Sequence, residues 1–233
     1  MSVSDADKGV IYAIDFNKYS VLAYNEYWVY QKIINQTEQY PSLIYGGPSF
    51  SQYVNGQIYI TADNRINKLD KSLNLVISYQ TNALTRRRGI YFNETSSLIY
   101  VGDVLNNLTR IYDQNLTFIA NFTTPFSPWY ITGYNGMLVI TDDKSNRIFF
   151  FKNEMPIQNI TTECTSRVTS ILFDNYNHMI ILCDTPSNMY IYHTNGTYSG
   201  LDAKACDNKT FFMNFDFKNR LVVTCENDIS IFY

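Results

Sequence analysis

Histidine and charged residues are scarce in this sequence, and their scarcity limits the functions that the chain can perform. Only two histidines are present, His178 and His193, which are too few for a histidine-rich metal centre. Charged residues make up 17% of the chain, and the formal net charge is −3. This weak acidic balance argues against a nucleic-acid partner, because nucleic-acid binding depends on neutralising many phosphates.

Long apolar runs and common catalytic motifs are also missing. No stretch of 18 or more apolar residues occurs, so the sequence predicts no membrane insertion by this chain. The opening MSVSDADKG has no apolar segment of the kind that a signal peptide needs. The sequence contains no G-x-S-x-G, no Walker-type loop and no H-E-x-x-H. We therefore expect a protein that is not an enzyme and uses no cofactor.

What the chain does contain is a repeat of about 40 residues rich in strand-forming side chains. There are 20 Tyr and 15 Phe. Six segments share an apolar run, an acidic residue, a short polar turn and a second apolar run, as in LVITDDKSNRIFFF at 138–151. The acidic positions are spaced 48, 40, 39, 42 and 42 residues apart. They are Asp15, Asp63, Asp103, Asp142, Asp184 and Glu226.

Two further short strands separate successive copies, for example LTFIANFT at 116–123 and PWYITGYN at 128–135. Four antiparallel strands per unit, repeated, indicate a β-propeller with strands a to d numbered outward from the axis. We predict an all-β fold of six blades, mostly four-stranded, with terminal blades that are incomplete or share the closure of the ring. The chain is expected to enter at strand b of the first blade and to finish at strand c of the last. Residues 1–8 are predicted as a tail and 9–233 as one domain; a five-bladed ring or a truncated larger ring is the alternative.

The repeat units resemble NHL repeats in the hairpin between strands b and c. The similarity rests on D-x-x-S-N-R-I-x-x-F at 142–151, A-D-N-R-I at 62–66 and Y-V-G-D at 100–103. The last copy, at 226–229, lacks the Asn-Arg pair. The resemblance implies a six-bladed propeller, a fold that serves hydrolases, lyases, receptor modules and RNA- or protein-binding domains. Such a fold does not by itself identify a function.

The four cysteines follow the same repeat. Cys164 and Cys206 are 42 residues apart, and so are Cys183 and Cys225. In each unit one cysteine ends strand d and the other lies near the end of strand b, at the same face of the ring. This placement predicts the disulfides Cys164–Cys183 and Cys206–Cys225, each worth about 3 kcal/mol through its loop of roughly 20 residues. Four free core thiols or a Cys₄ zinc site are the alternatives, although no close CxxC pair is present.

Disulfides indicate an oxidising compartment, and sequons point the same way. Eight Asn-X-Ser/Thr sequons occur, about twice the number expected by chance. Together with the predicted disulfides, they predict an extracellular location. This location applies equally to a secreted protein and to the ectodomain of a longer one. The candidate glycosylation sites are Asn35, Asn93, Asn107, Asn115, Asn121, Asn159, Asn195 and Asn208.

The repeated acidic residues have two interpretations. A carboxylate after each b strand can accept hydrogen bonds from the backbone N–H groups of the turn, which is a structural role. A ring of such carboxylates at one face is the alternative, since hard cations prefer oxygen ligands. We expect the structural role, because one such residue occurs in every unit and a metal site requires ligands that converge on one axis.

Irregular loops carry the candidate binding residues. The run Arg86-Arg87-Arg88 lies between strands d and a, at the face where the d–a and b–c loops gather. Adjacent arginines bind carboxylate, sulfate or phosphate in bidentate fashion; the alternative is a solvated loop. Equivalent loops contribute aromatic and arginine side chains, which are typical interface anchors, although the first residues of strand a also fit a core position. The predicted ligand-binding face consists of Arg86, Arg87, Arg88, Trp129, Tyr130 and Arg167.

These observations predict a non-catalytic binding module for an extracellular protein, peptide or glycan. His178 is placed in an a–b turn and His193 at the end of a c strand, apart from each other and from the axis, which argues against a Ser-His-Asp relay. The alternative is a calcium-dependent hydrolase resembling lactonase-like six-bladed propellers. Its metal ligands would have to come from strand-a residues such as Asn93, Glu94 and Asp216.

Overall fold

The computed structural model describes residues 2–5, 10–15, 20–25, 27, 30–35, 50–62, 64–80, 87–200, 203–207, 210–215, 219–225 and 229–232. Within these ranges the chain forms strands, turns and loops, which confirms the all-β prediction. No helix in the described residues is long and apolar enough to cross a membrane.

The strands are short, four to seven residues in most cases, as expected for blades separated by tight turns. They fall into six sheets. The first two contain β1 (Ser2–Asp5), β2 (Val10–Asp15), β3 (Ser20–Tyr24), β4 (Tyr30–Asn35), β5 (Phe50–Val54), β6 (Gln57–Ala62), β7 (Arg65–Asp70) and β8 (Leu75–Gln80). The next two contain β9 (Arg87–Asn93), β10 (Leu98–Asp103), β11 (Leu108–Asp113), β12 (Phe118–Thr123), β13 (Pro128–Tyr134), β14 (Met137–Asp142), β15 (Arg147–Lys152) and β16 (Met155–Thr161). The last two contain β17 (Val168–Phe173), β18 (His178–Cys183), β19 (Asn188–His193), β20 (Ala203–Lys204), β21 (Thr210–Phe215), β22 (Leu221–Cys225) and β23 (Ile229–Phe232).

Each sheet is an antiparallel meander in which every strand pairs with its neighbour in sequence. The first strands of the sheets lie side by side in the order β1, β5, β9, β13, β17 and β21, and β21 lies beside β1 again. Among the described strands, the innermost ones therefore form a closed cycle, and the remaining strands radiate outward from it. This arrangement is a β-propeller, as predicted.

The two ends of the chain differ in how well the sequence anticipated them. Ser2–Asp5, predicted as part of a tail, forms β1 and pairs with β2 through the register Ser2↔Ala13 to Asp5↔Val10. The first sheet therefore already has its strand a, and the expected entry at strand b is wrong. The last sheet has three described strands and ends at β23, its strand c.

Aromatic side chains pack the blades against one another. Tyr59 of the second sheet stacks on Phe92 of the third with ring centres 5.9 Å apart, and Tyr134 of the fourth stacks on Phe173 of the fifth at 4.2 Å. Each such pair adds a favourable ring–ring interaction to the burial of large apolar surfaces. Tyrosine and phenylalanine side chains, which are abundant in this sequence, thus pack at the interfaces between blades.

Gly89 marks a close approach of two backbones at a blade interface. A Cβ atom at Gly89 would lie 2.5 Å from the Ile131 backbone nitrogen and 2.8 Å from the Trp129 carbonyl oxygen. Only a residue without a side chain permits this approach of β9 to β13. The contact fixes the positions of Arg88 and Trp129, which adjoin it on the two strands.

Candidate functional site

The turns between strands b and c and the connections between strands d and a lie on one face of the propeller, which we call the loop face. In its described part it comprises residues 64, 104–107, 124–127, 143–146, 162–167, 184–187 and 205–207. Backbone hydrogen bonds join the two kinds of loop, from Asp143 N to Ser127 O at 2.8 Å and from Asp184 N to Arg167 O at 3.1 Å. Each of these d–a connections is therefore tied to the end of strand b of the blade that it enters.

Arg167 is the centre of a cluster on the loop face. Its guanidinium carbon lies 3.8 Å from the centre of the Trp129 indole ring. Nη1 is 2.6 Å from Asp143 Oδ1, and Nη2 is 3.0 Å from Asp184 Oδ2. The Arg88 guanidinium carbon is 5.5 Å from the same indole ring. One cation thus connects the fourth blade to the fifth and holds the indole in a fixed orientation.

The electrostatics of this cluster differ from those of an open anion site. Arg167 faces two carboxylates, so its charge is already balanced within the protein. Its side chain is 27% exposed, and the side chain of Trp129 is half-buried. The accessible part of the cluster is therefore a rigid aromatic and planar cationic surface, which suits contact with a partner better than capture of a free phosphate.

The other predicted face residues are distributed differently. Arg86 lies outside the described residues; Arg87 begins β9, and its side chain lies outside them as well. Arg88 is buried beside Trp129. The structure therefore brings Arg88, Trp129 and Arg167 together, while the arginine run does not form an open patch in its described part.

Tyr130 is a core residue and not part of the accessible loop face. Its side chain is buried, its hydroxyl donates to the Ile171 carbonyl oxygen at 3.1 Å, and its ring centre is 5.2 Å from that of Phe212. Burial raises the pKa of Tyr130 to about 12, and hydrogen bonds with the Ser170 and Thr132 side chains oppose the rise only in part. The residue follows Trp129 on β13, and alternation along the strand turns it inward.

Sequence reasoning missed Leu105, an exposed apolar residue of the loop face. Its side chain is 59% exposed in the turn between β10 and β11. The same turn is tied to the connection that precedes Trp129, because Ser127 Oγ donates to Asn107 Oδ1 at 2.9 Å. Residues 104–106 follow the repeated acidic residue Asp103. The repeat therefore predicted a turn here, but it did not predict which side chain of the turn is apolar and exposed.

Asp103 and Asp142 organise the turns that follow their b strands, whereas the carboxylate of Asp184 pairs with Arg167. Asp103 is fully buried and accepts from Arg110 Nε at 2.8 Å and from Asn106 Nδ2 at 2.9 Å. Asp142 accepts from Lys144 N and Ser145 Oγ, at 3.1 and 2.7 Å. The side chain of Asp15, and Asp63 and Glu226 entirely, lie outside the described residues.

No group of three or more His, Cys, Asp or Glu side chains in the described part of the chain is arranged to hold a metal ion. Of the residues considered as calcium ligands, Asn93 uses Oδ1 to accept from Thr95 N at 3.0 Å and Ser96 N at 3.3 Å. Glu94 is exposed in the same turn, and Asp216 is not among the described residues.

Both predicted disulfides are present. Cys164 and Cys183 are bonded with their Cα atoms 5.6 Å apart, and Cys206 and Cys225 with theirs 6.1 Å apart. Each bridge joins the connection before strand a to the end of strand b, which lie together on the loop face. No cysteine is free.

The two histidines are neighbours, which corrects the expectation that they lie apart. His178 begins β18 and His193 ends β19, and the two positions face each other across the sheet. Their ring centres are 5.2 Å apart. They lie on the opposite face of the propeller, which we call the turn face; it carries the a–b and c–d turns, including 174–177 and 194–197.

Most of the described sequon asparagines are accessible. Asn107, Asn115, Asn121, Asn159 and Asn195 are exposed, and Asn93 is half-buried. Asn208 lies outside the described residues, as does the side chain of Asn35. Glycosylation at these positions stays a prediction.

Comparison with solved structures places the chain among propellers. It is similar to a streptogramin B lyase (TM-score 0.75, 14% identity, covering 99% of this chain and 81% of the other) and to virginiamycin B lyase from Staphylococcus aureus with Quinupristin (0.73, 13%, 99% and 82%). It is also similar to the WD40 domain of Neurospora crassa Pan2 (0.70, 8%, 100% and 78%). At these identities the likeness shows the propeller fold alone.

No protein-family model and no curated protein matches the sequence. The resemblance to NHL repeats therefore stays a prediction, and so does the function.

Proposed function

We propose that this chain is a non-catalytic recognition domain that acts outside the cell and binds a protein partner through the loop face. The observation that carries the proposal is the indole of Trp129, held against Arg167 at 3.8 Å and kept in place by two carboxylates. Tryptophan and arginine are enriched among the residues that dominate binding energy, especially when they are rigid before binding.

The arrangement of polar groups supports binding over catalysis. On the loop face Asp103 is engaged by Arg110, while Asp143 and Asp184 are engaged by Arg167. Catalytic acids and nucleophiles need groups poised toward substrate, whereas these carboxylates are occupied in holding the blades together. Two of the similar solved structures are lyases and another is a WD40 domain, so the fold itself is compatible with either role.

The cysteine chemistry supports the proposed location. Both pairs are bonded, and disulfides persist in oxidising compartments. Exposed sequons such as Asn121 and Asn159 on the outer strands fit the same setting.

A screen against an array of secreted proteins and receptor ectodomains, run beside a glycan array, tests the proposal. Once a binding protein is found, Leu105→Glu is the informative variant, because the leucine is 59% exposed and its replacement disturbs little packing. The matched control is Tyr176→Glu on the turn face, where the side chain is 81% exposed. We expect Leu105→Glu to weaken binding at least about tenfold, since it adds a desolvated charge to the interface, and Tyr176→Glu to leave it unchanged.

Loss of binding in the control alone, or binding only to glycans, would contradict the proposal.

A calcium titration addresses the hydrolase alternative. Ca²⁺ bound to the native state would raise the Tm. Because we propose a domain that does not depend on calcium, we expect millimolar Ca²⁺ to leave the Tm unchanged.

A further inference from the structure

His178 and His193 form a cross-strand pair of the kind that brings side chains close. The backbone N–H and C=O of His178 both engage Asp174, at 2.8 Å to Oδ1 and 3.1 Å from its amide nitrogen. Those of His193 both engage the following turn, through Thr197 O and Gly196 N at 2.9 Å. Each histidine therefore directs its backbone groups away from the other, which makes them a non-hydrogen-bonded pair, the closer of the two antiparallel arrangements.

Asp174 fixes the orientation of one of the two rings. Its Oδ2 lies 2.9 Å from His178 Nδ1. Its Oδ1 accepts from the backbone nitrogens of Tyr176 and His178, both at 2.8 Å, so the carboxylate cannot turn freely. An ionised carboxylate only accepts hydrogen bonds, so in the neutral imidazole Nδ1 carries the proton and Nε2 keeps its lone pair.

The turn that carries Asp174 is anchored to the neighbouring blade. Tyr134 Oη donates to Asn177 Oδ1 at 2.8 Å, and the Tyr134 ring stacks on Phe173 with ring centres 4.2 Å apart. The first histidine and its carboxylate are thus held by contacts from two blades. His193 is exposed and faces them across the strand pair.

We propose that His178 and His193 bind a divalent transition-metal ion such as Zn²⁺ through their Nε2 atoms, with Asp174 orienting His178 from behind. A carboxylate–histidine–metal arrangement is the usual support for an imidazole ligand. With metal–nitrogen distances of about 2.0 Å and a tetrahedral angle, two bound imidazoles have ring centres about 5 Å apart. The observed separation is 5.2 Å, with the rings tilted by 55°.

The choice of ion follows from the ligands. Imidazole nitrogen suits zinc, copper and nickel, whereas Ca²⁺ and Mg²⁺ require oxygen ligands. Two protein ligands leave the remaining coordination positions to water or to a partner's side chain, so binding to the isolated domain is reversible. The site lies on the turn face and is independent of the proposed recognition by the loop face.

Isothermal titration with Zn²⁺ on the disulfide-bonded chain, without a histidine tag, tests the proposal. The chain has no free cysteine to compete for the ion. We expect one bound Zn²⁺, a rise in Tm on zinc addition, and no response to Ca²⁺ or Mg²⁺. The variant His193→Ala, at an exposed position, is expected to abolish both signals without changing the Tm of the metal-free protein.

Two further variants separate metal binding from general effects of mutation. Asp174→Asn keeps the shape of the side chain but weakens its support of His178, and we expect zinc affinity to fall at least about tenfold. Tyr176→Ala changes an exposed ring 6.3 Å from that of His178 and is expected to leave zinc affinity unchanged. Absence of zinc binding at millimolar concentration, or zinc binding that survives in His193→Ala, would overturn the proposal.

Discussion

Arg167 lies with its guanidinium carbon 3.8 Å from the centre of the Trp129 indole ring, and this pair links the fifth blade of the propeller to the fourth. The contact is reinforced by ion pairs from Arg167 to Asp143 and Asp184. The contacts that join the two blades also fix the orientation of the indole through which we propose that the domain binds a partner.

Replacing Arg167 with alanine is expected to lower the free energy of unfolding by about 2 kcal/mol, since two partly buried carboxylates lose their cation and the indole loses its stacking partner. The control is Lys204→Ala, which removes a 2.7 Å ion pair to Asp207 between well-exposed side chains. Exposed pairs contribute little, so its effect is expected below about 0.5 kcal/mol. Urea denaturation measures both; equal losses would mean that Arg167 has no special structural role.

Removing the disulfide Cys164–Cys183 by a double serine substitution is expected to cost about 3 kcal/mol, mainly because the unfolded chain gains freedom. The same change at Cys206–Cys225 removes a disulfide of the same sequence separation, 19 residues. We therefore expect a similar loss from both variants in denaturant titrations. A wild-type chain that reacts with maleimide when unfolded without reductant would contradict the pairing.

Alkaline pH is expected to destabilise the fold through Tyr130. The folded-state pKa of Tyr130 is raised from 10.0 to about 12 by burial, so the unfolded chain loses this proton first. The stabilisation is fully present below pH 10 and is lost as the pH rises to 12. Over this interval wild type should lose about 2 kcal/mol more than Tyr130→Phe. Parallel pH dependence in the two proteins would show that Tyr130 ionises as readily in the folded state as in the unfolded state, and would contradict this prediction.

Gly89→Ala is expected to reduce stability by about 3 kcal/mol, because the added methyl group meets the backbone of Ile131 and Trp129 and forces two blades apart. Gly136→Ala is the control: nothing lies within 4 Å of a Cβ there, and only its φ of 72° disfavours alanine. We expect it to cost about 1 kcal/mol. Similar thermal stability for the two variants would argue against the close approach of β9 and β13.

The repeat made most of the fold predictable. Regular spacing of the acidic residues located the b–c turns, and the 42-residue offset of the cysteines located both disulfides. Ser2–Asp5 escaped prediction because SVSD has no apolar alternation and becomes a strand only by pairing with β2.

The site was harder to predict because it depends on side-chain direction and on pairing between strands. Tyr130 and Trp129 are adjacent in sequence, yet the first is buried and the second half-exposed. The histidines were assigned to a turn and to a strand end, and only the register of β18 with β19 shows that those two places face each other. Such registers depend on turn lengths that the repeat does not conserve.

Hydrogen–deuterium exchange of the chain, alone and with a protein partner from the ectodomain screen, tests the proposed recognition most directly. The proposed recognition predicts that the partner slows exchange in the loop-face segments 104–107, 124–127 and 162–167. It predicts no change on the turn face at 174–177 and 194–197. Protection confined to the turn face, with the loop face unaffected, would contradict it.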